Sequence, residues 1–141
     1  MTSFKVKKQI DIKASKEKVW DALTNPMVIK QYLFGTEAIS DWKVGSTLIF
    51  RGGYDGVDYA DKGIIKQFEV GEIFQYTYLS SFSGLEGKDE NYHLISYILE
   101  DTIHGISLNL IHENIQDEKA RKQADKNWDF VLKEIKEITE N

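Results

Sequence analysis

The three histidines are the side chains best suited to acid–base or metal chemistry in this chain. His104 and His112 lie eight residues apart on or beside one predicted strand. That spacing corresponds to roughly 27 Å, so the two side chains do not share a metal ion. A turn centred near Thr102 would instead place His93 opposite His112, at one end of the inner sheet face. The two rings could bind zinc or move protons there, but Glu113 points the other way and supplies no third ligand, so we predict neither a metal nor another cofactor.

Aromatic residues dominate the predicted inner face of the sheet. Tyr76, Tyr78 and Tyr97 need hydrogen-bond partners for their hydroxyls, which a cavity holding water or ligand would supply and a close-packed apolar core would not. We therefore predict a ligand pocket, with an ordinary aromatic core as the alternative for any one residue. The predicted ligand-binding residues are Leu48, Phe50, Phe74, Tyr76, Tyr78, Ile95, Tyr97, Leu108, Leu110, His112 and Trp128.

No dedicated catalytic constellation is visible. The chain lacks GxGxxG, Walker-type, HExxH and GxSxG signatures, and it contains no cysteine. The remaining carboxylates are assigned to solvated loops or to the polar face of the last helix. The acidic residues assigned to loops are Asp55, Asp58, Asp61, Asp89 and Glu90. A binding protein is favoured on these grounds, and an enzyme remains open.

Composition and charge restrict the possible partners. A net charge of −5 and only two arginines, Arg51 and Arg121, argue against nucleic acid. The first eight residues lack the apolar core of a signal peptide, and no later run is long enough to cross a bilayer. We therefore predict a cytoplasmic protein that does not bind membranes, folded as a single domain over residues 1–141.

The order of predicted elements places these side chains. Alternation of apolar and polar residues over 4–12 predicts a first strand. Ser15 and Asn25-Pro26 each predict the start of a short helix. The second of these helices is predicted to run to about Phe34, before Gly35. Strands are predicted at 47–51, 63–70, 73–79, 92–100 and 105–113.

A last amphipathic helix is predicted from Asp117 to Thr139. Its apolar stripe comprises Ala120, Ala124, Trp128, Val131, Ile135 and Ile138. At 1.5 Å per residue this helix would extend about 34 Å, enough to cover one face of an antiparallel sheet. The fold class predicted is α+β.

One segment carries a specific family resemblance. Residues 14–26, reading ASKEKVWDALTNP, resemble the opening of the family named for the activator of heat-shock-protein ATPase, within the START-like helix-grip superfamily. The likeness continues through residues 41–50, the Gly63 strand, 75–78, 105–112 and 127–135. Asn127, where the family usually has glycine, Trp42 and the 80–91 loop depart from the pattern.

The resemblance implies a helix-grip fold: a curved antiparallel sheet of about six or seven strands, with the long C-terminal helix packed across it. In different members it also implies lipid or hormone binding, polyketide cyclisation or chaperone regulation. We predict an apolar or aromatic small molecule as the partner. A cyclase or hydrolase acting in the same cavity and a chaperone-regulator-like interaction module are the rival hypotheses. The 80–91 loop, with Phe82 and Leu85, could close over the cavity mouth or lie as a plain exposed loop.

Overall fold

The computed structural model describes residues 4–54, 56–81 and 83–141. Asp55 and Phe82, which entered the sequence-based predictions, lie outside this description. The described residues form one seven-stranded antiparallel sheet in the order β1-β7-β6-β5-β4-β3-β2, with three helices. The elements are β1 (Phe4–Ile12), α1 (Lys16–Thr24), α2 (Pro26–Tyr32), β2 (Glu37–Ser40), β3 (Thr47–Tyr54), β4 (Val57–Glu69), β5 (Ile73–Tyr78), β6 (His93–Asp101), β7 (Ile106–Ile115) and α3 (Glu118–Glu140). The α+β helix-grip prediction is confirmed.

The two short helices start at the predicted caps. The Ser15 side chain accepts a hydrogen bond from the backbone N–H of Lys18 at 3.2 Å, and Asn25 accepts one from that of Met27 at 2.9 Å. Each bond satisfies a donor that has no partner within its own helix. Helix α2 ends at Tyr32, two residues earlier than predicted, because Phe34 already adopts a positive φ of 55° that breaks the helix.

Helix α3 packs against the inner face of the sheet through a stripe shifted slightly from the predicted one. Val131, Leu132, Ile135 and Thr139 are buried, whereas Ala120, Ala124, Trp128 and Ile138 are partly buried against the same core. Lys8 of β1 also contacts this helix, through ion pairs with Asp125 at 2.7 Å and Asp129 at 2.9 Å.

Strand β4 is longer than the sequence indicated. It begins at Val57, six residues before the predicted start, and its first part, from Val57 to Ile64, pairs with β3, so that Phe50 lies opposite Asp61. Asp58 and Asp61 therefore lie in a strand, which corrects their assignment to loops. Strand β2 was not predicted; it is a four-residue edge strand paired with β3.

The predicted pairing of His93 with His112 is wrong by two residues. Strand β7 places Ile95, not His93, opposite His112, because the connection from Thr102 to Gly105 turns the chain later than expected. The backbone N–H of Thr102 donates to the carbonyl of Gly105 at 2.9 Å within this turn. A shift of two residues leaves every side chain on its predicted face.

Two regions of the inner face differ in how they are filled. At one end Trp20 of α1 packs edge-on against Phe68 and Phe74, with ring centroids 5.3 and 6.4 Å apart. Trp42 also packs on Phe74, at 5.9 Å. This end is a close-packed aromatic core, and the pocket described below occupies the other end. None of the described helices is both long and apolar enough to cross a membrane.

Candidate functional site

A pocket of about 710 Å³ lies between the inner sheet face, helix α3 and the segment after α2. This volume is within the range typical of small-molecule sites. Its walls are mostly aromatic and aliphatic. The lining residues are Leu33, Phe34, Thr36, Phe50, Gly53, Tyr59, Asp61, Tyr76, Tyr78, Ser80, Ile95, Tyr97, His112, Ala124, Asn127, Trp128 and Val131.

Seven of the predicted ligand-binding residues lie on the pocket wall: Phe50, Tyr76, Tyr78, Ile95, Tyr97, His112 and Trp128. The other four, Leu48, Phe74, Leu108 and Leu110, are not among the lining residues and are buried in the core. The reason is that the space above them is filled, in the case of Phe74 by Trp20 and Trp42. Strand phase identifies the inner face, but it does not show which part of that face the helices cover.

Asp61 is the functional candidate that sequence reasoning missed. Its side chain is buried on the pocket wall, where Oδ2 accepts a hydrogen bond from the Tyr78 hydroxyl at 2.5 Å. Oδ1 accepts from the backbone N–H of Ser81 at 2.7 Å and from its hydroxyl at 3.1 Å. Burial, followed by the adjacent Asp61 charge, raises the pKa of Tyr78 far above its usual range, so this phenol remains a donor.

Two sequence signals could have revealed Asp61. Asp55-Gly56 is a dipeptide typical of tight hairpin turns. Extending a strand back from Gly63 with a period of two would then have placed Tyr59 and Asp61 on the inner face. In the structure the Tyr59 hydroxyl lines the pocket and hydrogen-bonds with the hydroxyl of Thr36.

The other two inner tyrosines, Tyr76 and Tyr97, line the pocket with buried side chains. Burial raises the pKa of each phenol above its usual range. Of the three inner tyrosine hydroxyls, that of Tyr78 is bonded to Asp61 within the protein and therefore does not require a ligand.

His112 and His93 belong to a hydrogen-bonded chain that starts at the pocket wall. Trp128 Nε1 donates to His112 Nδ1 at 2.9 Å, His112 Nε2 lies 2.7 Å from His93 Nδ1, and His93 Nε2 lies 3.1 Å from Gln116 Oε1. Because an indole N–H is only a donor, His112 Nδ1 must be an acceptor. The neutral His112 then carries its proton on Nε2 and donates to His93, which in turn donates to Gln116.

Protonation is disfavoured along this chain. Burial, with a smaller contribution from the charge of His93, lowers the pKa of His112 to about 3. Burial also lowers the pKa of His93, partly offset by its bond to Gln116. A proton added to His112 Nδ1 would point at the Trp128 N–H and break that hydrogen bond. Within the described residues, no three His, Cys, Asp or Glu side chains form a group that could hold a metal ion.

At the pocket rim, Leu85 fits the plain exposed loop that was one of the two alternatives for residues 80–91. Leu85, on the 80–91 loop, is exposed and does not line the pocket. Phe34, which follows α2, lines it instead and stacks on Phe130 of α3, with ring centroids 5.5 Å apart. Phe34 is 79% exposed, so an apolar ring stands at the pocket edge.

Several solved structures share this fold. A Cytophaga hutchinsonii protein is 38% identical, with a TM-score of 0.86 and coverage of 98% of this chain and 94% of its own. A Chromobacterium violaceum protein is 22% identical, with a TM-score of 0.79 and 97% coverage of both chains. The Aha1 dimer from Colwellia psychrerythraea is 19% identical, with a TM-score of 0.77 and coverage of 97% and 96%.

The sequence itself matches one family over most of its length. No curated protein matches the chain. Residues 13–140 match the family described as Activator of Hsp90 ATPase homolog 1-like protein. This range includes helix α1, every described pocket-lining residue and all of α3. The chain therefore belongs to the Activator of Hsp90 ATPase homolog 1-like protein family.

Proposed function

We propose that this protein binds an apolar or aromatic small molecule in the pocket between the sheet and α3. The observation that carries the proposal is the pocket itself, a volume of about 710 Å³ bordered by the rings of Phe50, Tyr76, Tyr97 and Trp128. Apolar walls with a few polar groups are typical of small-molecule sites. Each methylene that such a ligand buries contributes about 0.8 kcal/mol.

The proposed mechanism is burial of the ligand with orientation by fixed polar groups. Tyr78 is held by its hydrogen bond to Asp61, and Trp128 is held by its hydrogen bond to His112. Aromatic side chains already held in one rotamer lose little conformational entropy when a ligand arrives. The Tyr97 and Trp128 rings meet edge to face at 5.9 Å, which favours a flat apolar body beside them.

Native mass spectrometry of protein purified from its own source, followed by solvent extraction, tests this proposal. We expect a reproducible bound mass in the wild type and its loss in Ala124→Phe, because residue 124 lines the pocket and a phenyl ring there would occupy it. Lys126→Phe is the matched control, since this residue of the same helix is exposed and lies outside the pocket lining. Equal ligand loss in both variants, or an empty wild type, would reject the proposal.

A regulator of a chaperone ATPase is a second candidate. The observation that favours it is the exposed stack of Phe34 on Phe130, an apolar surface of the kind that partners cover. Its test is the ATPase rate of Hsp90 from the same organism, measured with wild-type protein and with Phe130→Ser. Stimulation by the wild type that the variant lacks supports this candidate, and an unchanged rate with the wild type rejects it.

A further inference from the structure

Asp61 gives the pocket wall a charge that the aromatic residues around it do not explain. Its side chain is 7% exposed, and it faces the pocket from β4 beside Phe50 of β3. Three hydrogen bonds, from the Tyr78 hydroxyl and from the N–H and hydroxyl of Ser81, are all donated to it. An ionised carboxylate is purely an acceptor, which is the form that these contacts satisfy.

This charge has no cationic partner among the pocket-lining residues that the structure describes. None of the described lining residues is a lysine or an arginine. His112, the histidine among the described lining residues, is neutral at physiological pH because burial lowers its pKa to about 3. A buried carboxylate without a counter-ion is costly, and hydrogen bonds offset only part of that cost. A cation that enters the pocket would offset the rest of this free-energy cost, whereas an anion would increase it.

The rings beside Asp61 favour the same sign of charge. Phe50 lies 5.7 Å from Tyr76 and 6.2 Å from Tyr78, measured between ring centroids, and all three line the pocket. Aromatic faces attract cations through the ring quadrupole, more strongly in a desolvated site. The Tyr78 hydroxyl donates to Asp61, so its proton is directed at the carboxylate.

We infer that the pocket selects a ligand with an aromatic or apolar body and a protonated amine, with Asp61 as the counter-ion. The ammonium group lies against the Asp61 carboxylate and the rings of Phe50 and Tyr78. The apolar body extends along Tyr97, Val131 and Trp128, which line the same pocket. This inference rests on the proposed small-molecule function and names the class of ligand.

Three naphthalene probes with the same ring and different charge test the inference: 1-naphthylmethylamine, 1-naphthylmethanol and 1-naphthoic acid. Their dissociation constants are measured by calorimetry at neutral pH. We expect the amine to bind about 10- to 100-fold more tightly than the alcohol, because the amine would form a charge-assisted hydrogen bond with Asp61 and the alcohol a weaker one. The acid is expected to bind most weakly. If the wild type binds the acid as tightly as the amine, the inference is overturned without any variant.

Asp61→Asn shows whether the selectivity comes from the carboxylate. The amide keeps the shape and an acceptor for Ser81 but removes the charge, so we expect the amine and the alcohol to bind equally, with little change for the alcohol. Asp58→Asn is the matched control, because it removes an exposed carboxylate from the same strand outside the pocket lining. The amine preference is expected to remain in this variant.

The outcomes separate the two proposals. If no probe binds the wild type, the small-molecule function fails, and this inference fails with it. If the alcohol binds and the amine has no advantage, the pocket still takes ligands and only the charge selection is overturned. An amine preference that survives in Asp61→Asn, with circular dichroism showing a folded variant, also overturns it.

Discussion

The histidine chain leads to a quantitative prediction about acid stability. His112 has an ordinary pKa of 6.5 that burial lowers to about 3 in the folded protein. Between these values the unfolded chain binds one more proton than the folded chain, so the free energy of unfolding falls as the pH falls. Each pH unit contributes about 1.36 kcal/mol for one proton. Because half of the unfolded chains are already protonated at this ring at pH 6.5, the loss from pH 6.5 to about pH 4.5 is about 2.3 kcal/mol.

The assay is urea unfolding at several pH values in this window, followed by tryptophan fluorescence. His112→Asn removes the titrating ring while offering Trp128 an amide oxygen, and we expect it to lose about 2.3 kcal/mol less than the wild type over the same window. The quantity compared is the change with pH, so a uniform destabilisation of the variant does not affect the conclusion. His93, whose pKa burial also lowers, adds to the wild-type slope in the same direction.

His104→Asn is the matched control, since His104 lies exposed in the turn between β6 and β7. It should keep the wild-type dependence on pH. The reasoning is refuted if His112→Asn loses as much stability as the wild type over this window, or if the wild type shows no loss.

Two further predictions concern packing. Gly63→Ala should destabilise the protein by about 3 kcal/mol in urea unfolding, because an added Cβ would lie 1.6 Å from the carbonyl oxygen of Thr77. Gly53→Ala should destabilise it much less, because the added Cβ would meet no atom closer than 3.5 Å. Leu108→Ala should cost about 2 to 5 kcal/mol, because Leu108 is fully buried, yet leave the affinity for 1-naphthylmethanol unchanged, because Leu108 does not line the pocket. Comparable costs for the two glycine variants, or a large loss of affinity in Leu108→Ala with its fold intact, would contradict these expectations.

Local sequence patterns predict much of the fold. Ser15, Asn25-Pro26 and Asp117 are residues that satisfy or pre-form a helix start, and the structure uses each of them in that way. Alternation along the strands also identified the inner face, including Phe50, Tyr76 and Tyr97. These features depend on neighbours a few residues away, which is why the sequence alone indicates them.

The candidate site depends on contacts that no local pattern contains. Asp61 was assigned to a loop because the polar start of β4 resembles one, and only pairing with β3 makes it a strand. Leu108 and Leu110 share the phase of true pocket residues but lie where the core is filled. Phe34 reaches the pocket edge through a positive φ of 55°, a conformation that its residue type does not suggest.

The most direct test of the proposed binding is an NMR titration with 1-naphthylmethanol that follows the indole N–H signals of the three tryptophans. Trp128 lines the pocket and donates to His112, whereas Trp20 and Trp42 pack in the aromatic core at the other end of the sheet. We predict a saturable shift of the Trp128 signal with the other two nearly unchanged. A Trp128 signal that does not move, or equal shifts at all three tryptophans, would contradict binding in this pocket.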